Sequence, residues 1–296
     1  MIKYAGKIFL GALSLVVGTM AGGMFATALR LEPPKLPAPM NLPLLGVLGL
    51  DAGIVLALAL AALSPQLPGN RGVRFTVIAW FVFAWLGINN PIEACLFTTI
   101  GGGPAIVVTM LFPCLFVAGA VVLLFGGQEP EKTFFHGFRR FFANRTATQW
   151  TIRLSAAWLA FPIVYFAFGM PVGLMVGKFY QNQAFGLRMP SLGMVIGVQC
   201  LRSLVALLAA LPFLVVWPGS RSRFAWTFGL NLFAVSGLYG LIQAYWMPWT
   251  LRSVHAVELL LDSLAYGWLL AVLLLPRTPA HNHPPVEEAG IRNYNT

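Results

Sequence analysis

Arg252, His255, Glu258 and Asp262 stand three, three and four residues apart near the end of the chain. On a helix that spacing puts all four on one face. A histidine next to carboxylates can relay protons near neutral pH, bind a cation, or act as a base oriented by an acid. The setting is apolar: Leu259-Leu260-Leu261 separates the two carboxylates, and the run from Leu264 to Leu275 follows. Asp51, Glu93, Gln199 and Arg202 are embedded in apolar stretches of the same kind.

The chain has nine Asp and Glu in 296 residues, and Asp51, Glu93, Glu258 and Asp262 are four of them. A carboxylate or guanidinium at the centre of a bilayer costs roughly 2.5–3.5 kcal/mol, so such groups face a protein interior or a wet cavity. A shared polar cavity is therefore expected, with Arg202 as counter-charge and His255 as proton relay. Three narrower sites have weak support. A metal centre would have one histidine and no second ligand motif. An aspartyl protease would pair Asp51 with Asp262, but Leu50-Asp51-Ala52-Gly53 lacks a glycine-flanked aspartate. A Ser236–His255 dyad rests on small residues that close helix packing explains equally well.

The elements that hold these residues are membrane spans. Hydrophobic residues make up 58% of the chain and charged ones only 9%, against about 25% charged in soluble domains. Apolar runs predict eight spans, at about 6–29, 43–64, 74–98, 104–126, 150–176, 190–216, 224–247 and 253–275, each near the ~20 residues a bilayer needs. The expected class is an all-α polytopic transmembrane helical bundle. Asn89-Asn90-Pro91 makes the end of the third span irregular, and Pro162 and Pro171 kink or break the fifth. Lys3 and Lys7 before an apolar run resemble the start of a signal peptide, but a run long enough to span favours a retained first helix.

Thirteen of the 19 Lys and Arg fall on one side of these spans and five on the other, with Arg202 within a span. The positive-inside rule then puts both chain ends in the cytoplasm. The same distribution assigns the net charge of +10 to the membrane and not to nucleic acid. Cys95, Cys114 and Cys200 lack metal or redox spacing and read as small buried apolar residues.

Residues 44–63 align with 192–211, and Val73 to Phe125 is nearly the same length as Ser222 to Leu274, each after a short basic turn, which suggests two tandem halves, 1–130 and 150–276. Between them, within 131–149, Phe134, Phe135, Phe138, Phe141 and Phe142 share a helical face with basic residues beside it, the pattern of an interfacial amphipathic helix. The tail, 277–296, has no periodicity and reads as disordered.

Three functions fit. One is a secondary transporter of a small solute or protons in a bacterial cytoplasmic (inner) membrane. Another is a membrane enzyme acting on a lipid-linked substrate. The third is a non-catalytic membrane subunit or homo-oligomer whose charges fix helix register. The residues imply no cofactor. A central, water-accessible vestibule would favour transport, and a lipid-filled lateral groove reaching His255 would favour the enzyme.

Overall fold

The computed structural model describes residues 2–35, 39, 41–100, 103–126 and 134–276. Those residues form nine helices: α1 Ile2–Ala28, α2 Leu42–Gln66, α3 Arg71–Phe97, α4 Gly103–Phe125, α5 Phe134–Ala143, α6 Ala147–Gln181, α7 Leu192–Val216, α8 Arg221–Gln243 and α9 Trp249–Leu274. All but α5 are long and apolar enough to cross a membrane, and they match the eight expected spans. Among the described residues there is no strand, only an isolated bridge between Thr98 and Leu187. The tail beyond Pro276 and the loop 127–133 lie outside the described residues.

Local chemistry fixes where the spans begin. Asn41, Asn70, Thr146, Ser191 and Ser220 each accept a bond from a backbone N–H of the first turn of α2, α3, α6, α7 and α8. Such caps satisfy donors that a helix start leaves free. At the other ends, cations meet bare carbonyls. Lys7 donates to Leu124 O (2.7 Å) below α4, and Arg145, Arg153 and Arg221 donate to Leu274 O, Leu273 O and Leu275 O below α9. This placement also suits the negative end of each helix dipole. These arginines mark one end of the bundle, here termed the basic face; the opposite end is the far face.

The first four spans and the last four make the same contacts. α1 packs on α2 and α4 as α6 packs on α7 and α9, and α3 packs on α4 as α8 packs on α9. Crosswise, α2 meets α8 and α7 meets α3. α3 and α8 each contain a wide π-helical stretch, Ala84–Asn89 and Phe233–Leu238, and the two touch. When Val73 is set on Ser222, the starts of two segments that the sequence showed to be of similar length, these two stretches coincide residue for residue. π segments replace the regular α-helical bonding and are frequent at functional sites.

The irregularity of α3 thus precedes Asn90 instead of following it. Asn90–Phe97 is regular α-helix, with Pro91 in a first turn where its missing N–H costs nothing. α6 runs unbroken for 35 residues through Pro162 and Pro171, so it is not the interrupted helix the prolines suggested. In α5, Phe141 is buried and Phe134 and Phe142 lean on the core, while Phe135 and Phe138 are exposed. Trp150 of α6 holds it, donating to Phe142 O at 2.9 Å. Of the cysteines, Cys114 is buried and Cys200 half-buried, but Cys95 is exposed, which corrects the expectation for that residue. Toward the basic face the core closes on an aromatic block: Phe81, Phe213 and Phe228 have ring centroids 4.9–5.9 Å apart and are at most 2% exposed.

Candidate functional site

The π segment of α3 ends at Asn89, and one helical turn later Glu93 faces α7. There Arg202, 3% exposed, lies about 15 Å along α7 at 1.5 Å per residue. Arg202 Nη1 and Nη2 donate to the two oxygens of Glu93 at 2.7 and 2.8 Å, a bidentate pair. Its Nε donates to Asn89 Oδ1 at 2.6 Å, and Nη1 also reaches Gln199 Oε1 at 3.1 Å. Asn89 Nδ2 returns a bond to the Arg202 carbonyl at 3.0 Å, tying α3 to α7. Phe161 and Tyr165 of α6 sit beside the guanidinium, 5.6 and 6.0 Å from it.

A second chain of bonds runs between α6 and α9. His255 Nδ1 is 2.6 Å from Glu258 Oε2, and His255 Nε2 is 3.0 Å from the Tyr180 hydroxyl. The assignment that satisfies both has Nδ1–H donating to the carboxylate and Nε2 accepting from the phenol. Asp262, one turn further, lies close behind. Its Oδ1 is buried and has no hydrogen-bond partner.

These groups share a cavity of about 450 Å³. Its polar end holds Glu93, Tyr165, Tyr180, His255, Glu258 and Asp262. The rest of its wall is almost wholly apolar, and Met170 on α6 with Met189 and Leu192 at the start of α7 are both part of that wall and exposed. The cavity therefore opens sideways between α6 and α7, toward the far face. Behind Asp262 and Glu93 is a smaller space of about 30 Å³, also lined by Trp85, Arg202, Ser236 and Tyr266. Trp85 Nε1 and Tyr266 Oη are buried without partners, as is Asp262 Oδ1.

Of the eight residues singled out in the sequence, six are together here: Glu93, Gln199 and Arg202 in one network, His255, Glu258 and Asp262 along the same cavity. Asp51 is not among them. The buried stripe of α2, Ala52, Gly53, Leu56, Ala57 and Leu60, packs on α1 and turns Asp51 outward, where it is exposed. Arg252 shares the helix face but not the site: it lies in the first turn of α9, its guanidinium 5.5 Å from the Trp249 ring. The Ser236–His255 dyad is absent too, since Ser236 Oγ donates to Leu232 O at 2.8 Å within its own helix. Sequence reasoning missed Asn89, Tyr165 and Tyr180. Asn89 carried a signal, because a buried amide in a span needs a partner as a charge does.

The rim is held from the loop side. Arg188 donates to Leu96 O (2.8 Å) and to Cys95 O at the end of α3. Arg188→Ala should loosen this turn and speed maleimide labelling of Cys95 severalfold, with Cys114 still protected; unchanged Cys95 labelling would show that the clasp does not hold the rim. No protein-family model, curated protein or solved structure matches the chain.

Proposed function

We propose that this multi-pass membrane protein is a proton-coupled carrier of amphiphiles, which enter sideways from the leaflet at the far face. One observation carries the reading: the cavity joins an apolar mouth on the membrane to a dead end of ionisable groups. A small hydrophilic solute gains nothing from such a mouth, whereas an amphiphile can leave its chain in lipid while its head reaches Glu258 and Asp262. Tyr180, His255 and Glu258 form a ready proton relay at that end. The matched π segments of α3 and α8 supply a pair of elements able to shift register between states. In this reading the basic face is cytoplasmic and the membrane is a bacterial inner membrane, in line with the charge bias.

The test is transport by the purified chain in liposomes under an imposed pH gradient, using fluorescent dodecyl probes with neutral, anionic and cationic heads. Wild-type protein should move at least one probe in a gradient-dependent way. Glu258→Gln and His255→Gln should reduce that movement about a hundredfold while eluting as intact monodisperse protein. Equal movement by wild type and both variants would sink the assignment. A second reading, an enzyme acting on a lipid-linked substrate, is favoured by the same Tyr180–His255–Glu258 chain. Chemical conversion of a probe without net movement would select it.

A further inference from the structure

We infer that the head this cavity accepts is a cation, a primary or quaternary ammonium group on an alkyl chain. The inference rests on the amphiphile reading above and specifies its substrate. Lys and Arg outnumber Asp and Glu by 19 to 9 in the chain, yet three of the nine carboxylates line this cavity and no Lys or Arg does. Arg202, which shares the smaller space with Asp262, is already spent: both of its terminal nitrogens are on Glu93. That leaves Glu258 and Asp262 facing the space with only His255 between them and neutrality.

Neither carboxylate is satisfied within the protein. Glu258 is 7% exposed and engages His255 through Oε2, and its Oε1 points at Gly169, where an added Cβ would stand 3.0 Å away. Glycine there keeps the approach to Oε1 open. Asp262 Oδ1 is buried without any partner. A buried carboxylate oxygen left in this state is expensive unless a ligand supplies the missing donor or charge. An anionic head would meet carboxylates and no free cation, while a neutral head would leave the charge in place. An ammonium group relieves both.

The aromatic wall fits the same head. Phe97, Tyr165, Phe166 and Tyr180 line the polar half of the cavity, and π faces attract alkylammonium groups that have shed their water. The mouth is flanked by Met170 and Met189, flexible thioether chains that adapt to alkyl tails of different shape. Binding of this cation and protonation of Glu258 or Asp262 then compete for the same charge. That competition is the coupling a proton-driven exchange requires.

Three photoreactive dodecyl probes with identical diazirine tails and ammonium, hydroxyl or sulfate heads decide the matter, applied to the full chain in phosphatidylcholine nanodiscs. The ammonium probe should label α6 and α9 peptides at least about tenfold more than the sulfate probe and be displaced by dodecyltrimethylammonium. Asp262→Asn should remove about tenfold of the ammonium labelling and change hydroxyl labelling far less, while thermal unfolding in detergent stays near wild type and reports a folded protein. If that variant fails to fold, Glu258→Gln takes its place with the same expectation. Equal labelling by all three heads would overturn the cationic head and leave the amphiphile reading standing. No labelling of the cavity by any probe would overturn both.

Discussion

Glu93→Leu should destabilise the protein more than Arg202→Leu, although the two residues share one ion pair. Removing one partner of a buried pair costs roughly 3–5 kcal/mol, mostly because the other charge is left alone. The survivors differ. The Arg202 side chain is 4% exposed, but the Glu93 side chain is 30% exposed and borders the cavity. A stranded Glu93 can be hydrated from the cavity or take up a proton. A stranded Arg202 can do neither, because guanidinium does not release its proton. Thermal unfolding in detergent should rank wild type above Arg202→Leu and Arg202→Leu above Glu93→Leu. The double variant Glu93→Leu/Arg202→Leu should recover much of the loss. The reverse order of the single variants, or none of the recovery, would show that burial does not govern this pair.

Gly22→Ala and Gly169→Ala should fail in opposite ways. A Cβ at Gly22 would lie 2.2 Å from Thr109 O, a backbone atom of α4, so α1 and α4 must separate. Overpacking of this kind costs about 1–3 kcal/mol or more, and the variant should express poorly and melt early. At Gly169 the added Cβ meets only the end of the Glu258 side chain, at 3.0 Å. That chain can swing aside, so Gly169→Ala should melt near wild type yet lose ammonium labelling and transport as Glu258 is displaced from His255. Normal transport by a well-folded Gly169→Ala would remove Glu258 from the ligand-facing surface.

The two glycines also explain where the cavity comes from. In the register that superposes the two π segments, Thr109 of α4 aligns with Glu258 of α9, and Pro113 with Asp262. Gly22 and Gly18 of α1 press directly on Thr109 and Pro113, with no room between the helices. Across the matching seam, Gly169 faces Glu258, and Tyr165 lines the cavity with Asp262. One seam is shut by small residues; the other is propped apart and carries the carboxylates.

The spans were legible because length and apolarity are one-dimensional properties, and the helices begin and end within a few residues of where hydropathy put them. Depth was legible too, which is why Glu93, Arg202, His255 and Glu258 were found. Rotation about the helix axis was not. Asp51 and Gln199 align in sequence and lie at the same depth, but α2 presents its small-residue stripe to α1 and turns Asp51 out, whereas α7 buries Gln199 beside Arg202. Which face turns inward depends on the partner, and a single span does not encode its partner. The π segments escaped for a related reason: wide and regular turns use the same apolar residues. Nothing in the sequence singles out Tyr165 and Tyr180; the structure does, by placing them beside His255 and Asp262.

The Phe81–Phe213–Phe228 block has an electrical consequence. Rings this close leave no file of water below Asp262, and hydrocarbon of that thickness is an insulator. In the carrier reading proposed above, such a plug would keep the resting protein from leaking ions, and a cell could carry many copies without short-circuiting its membrane potential. Charge would cross only in the moments when the block itself rearranges.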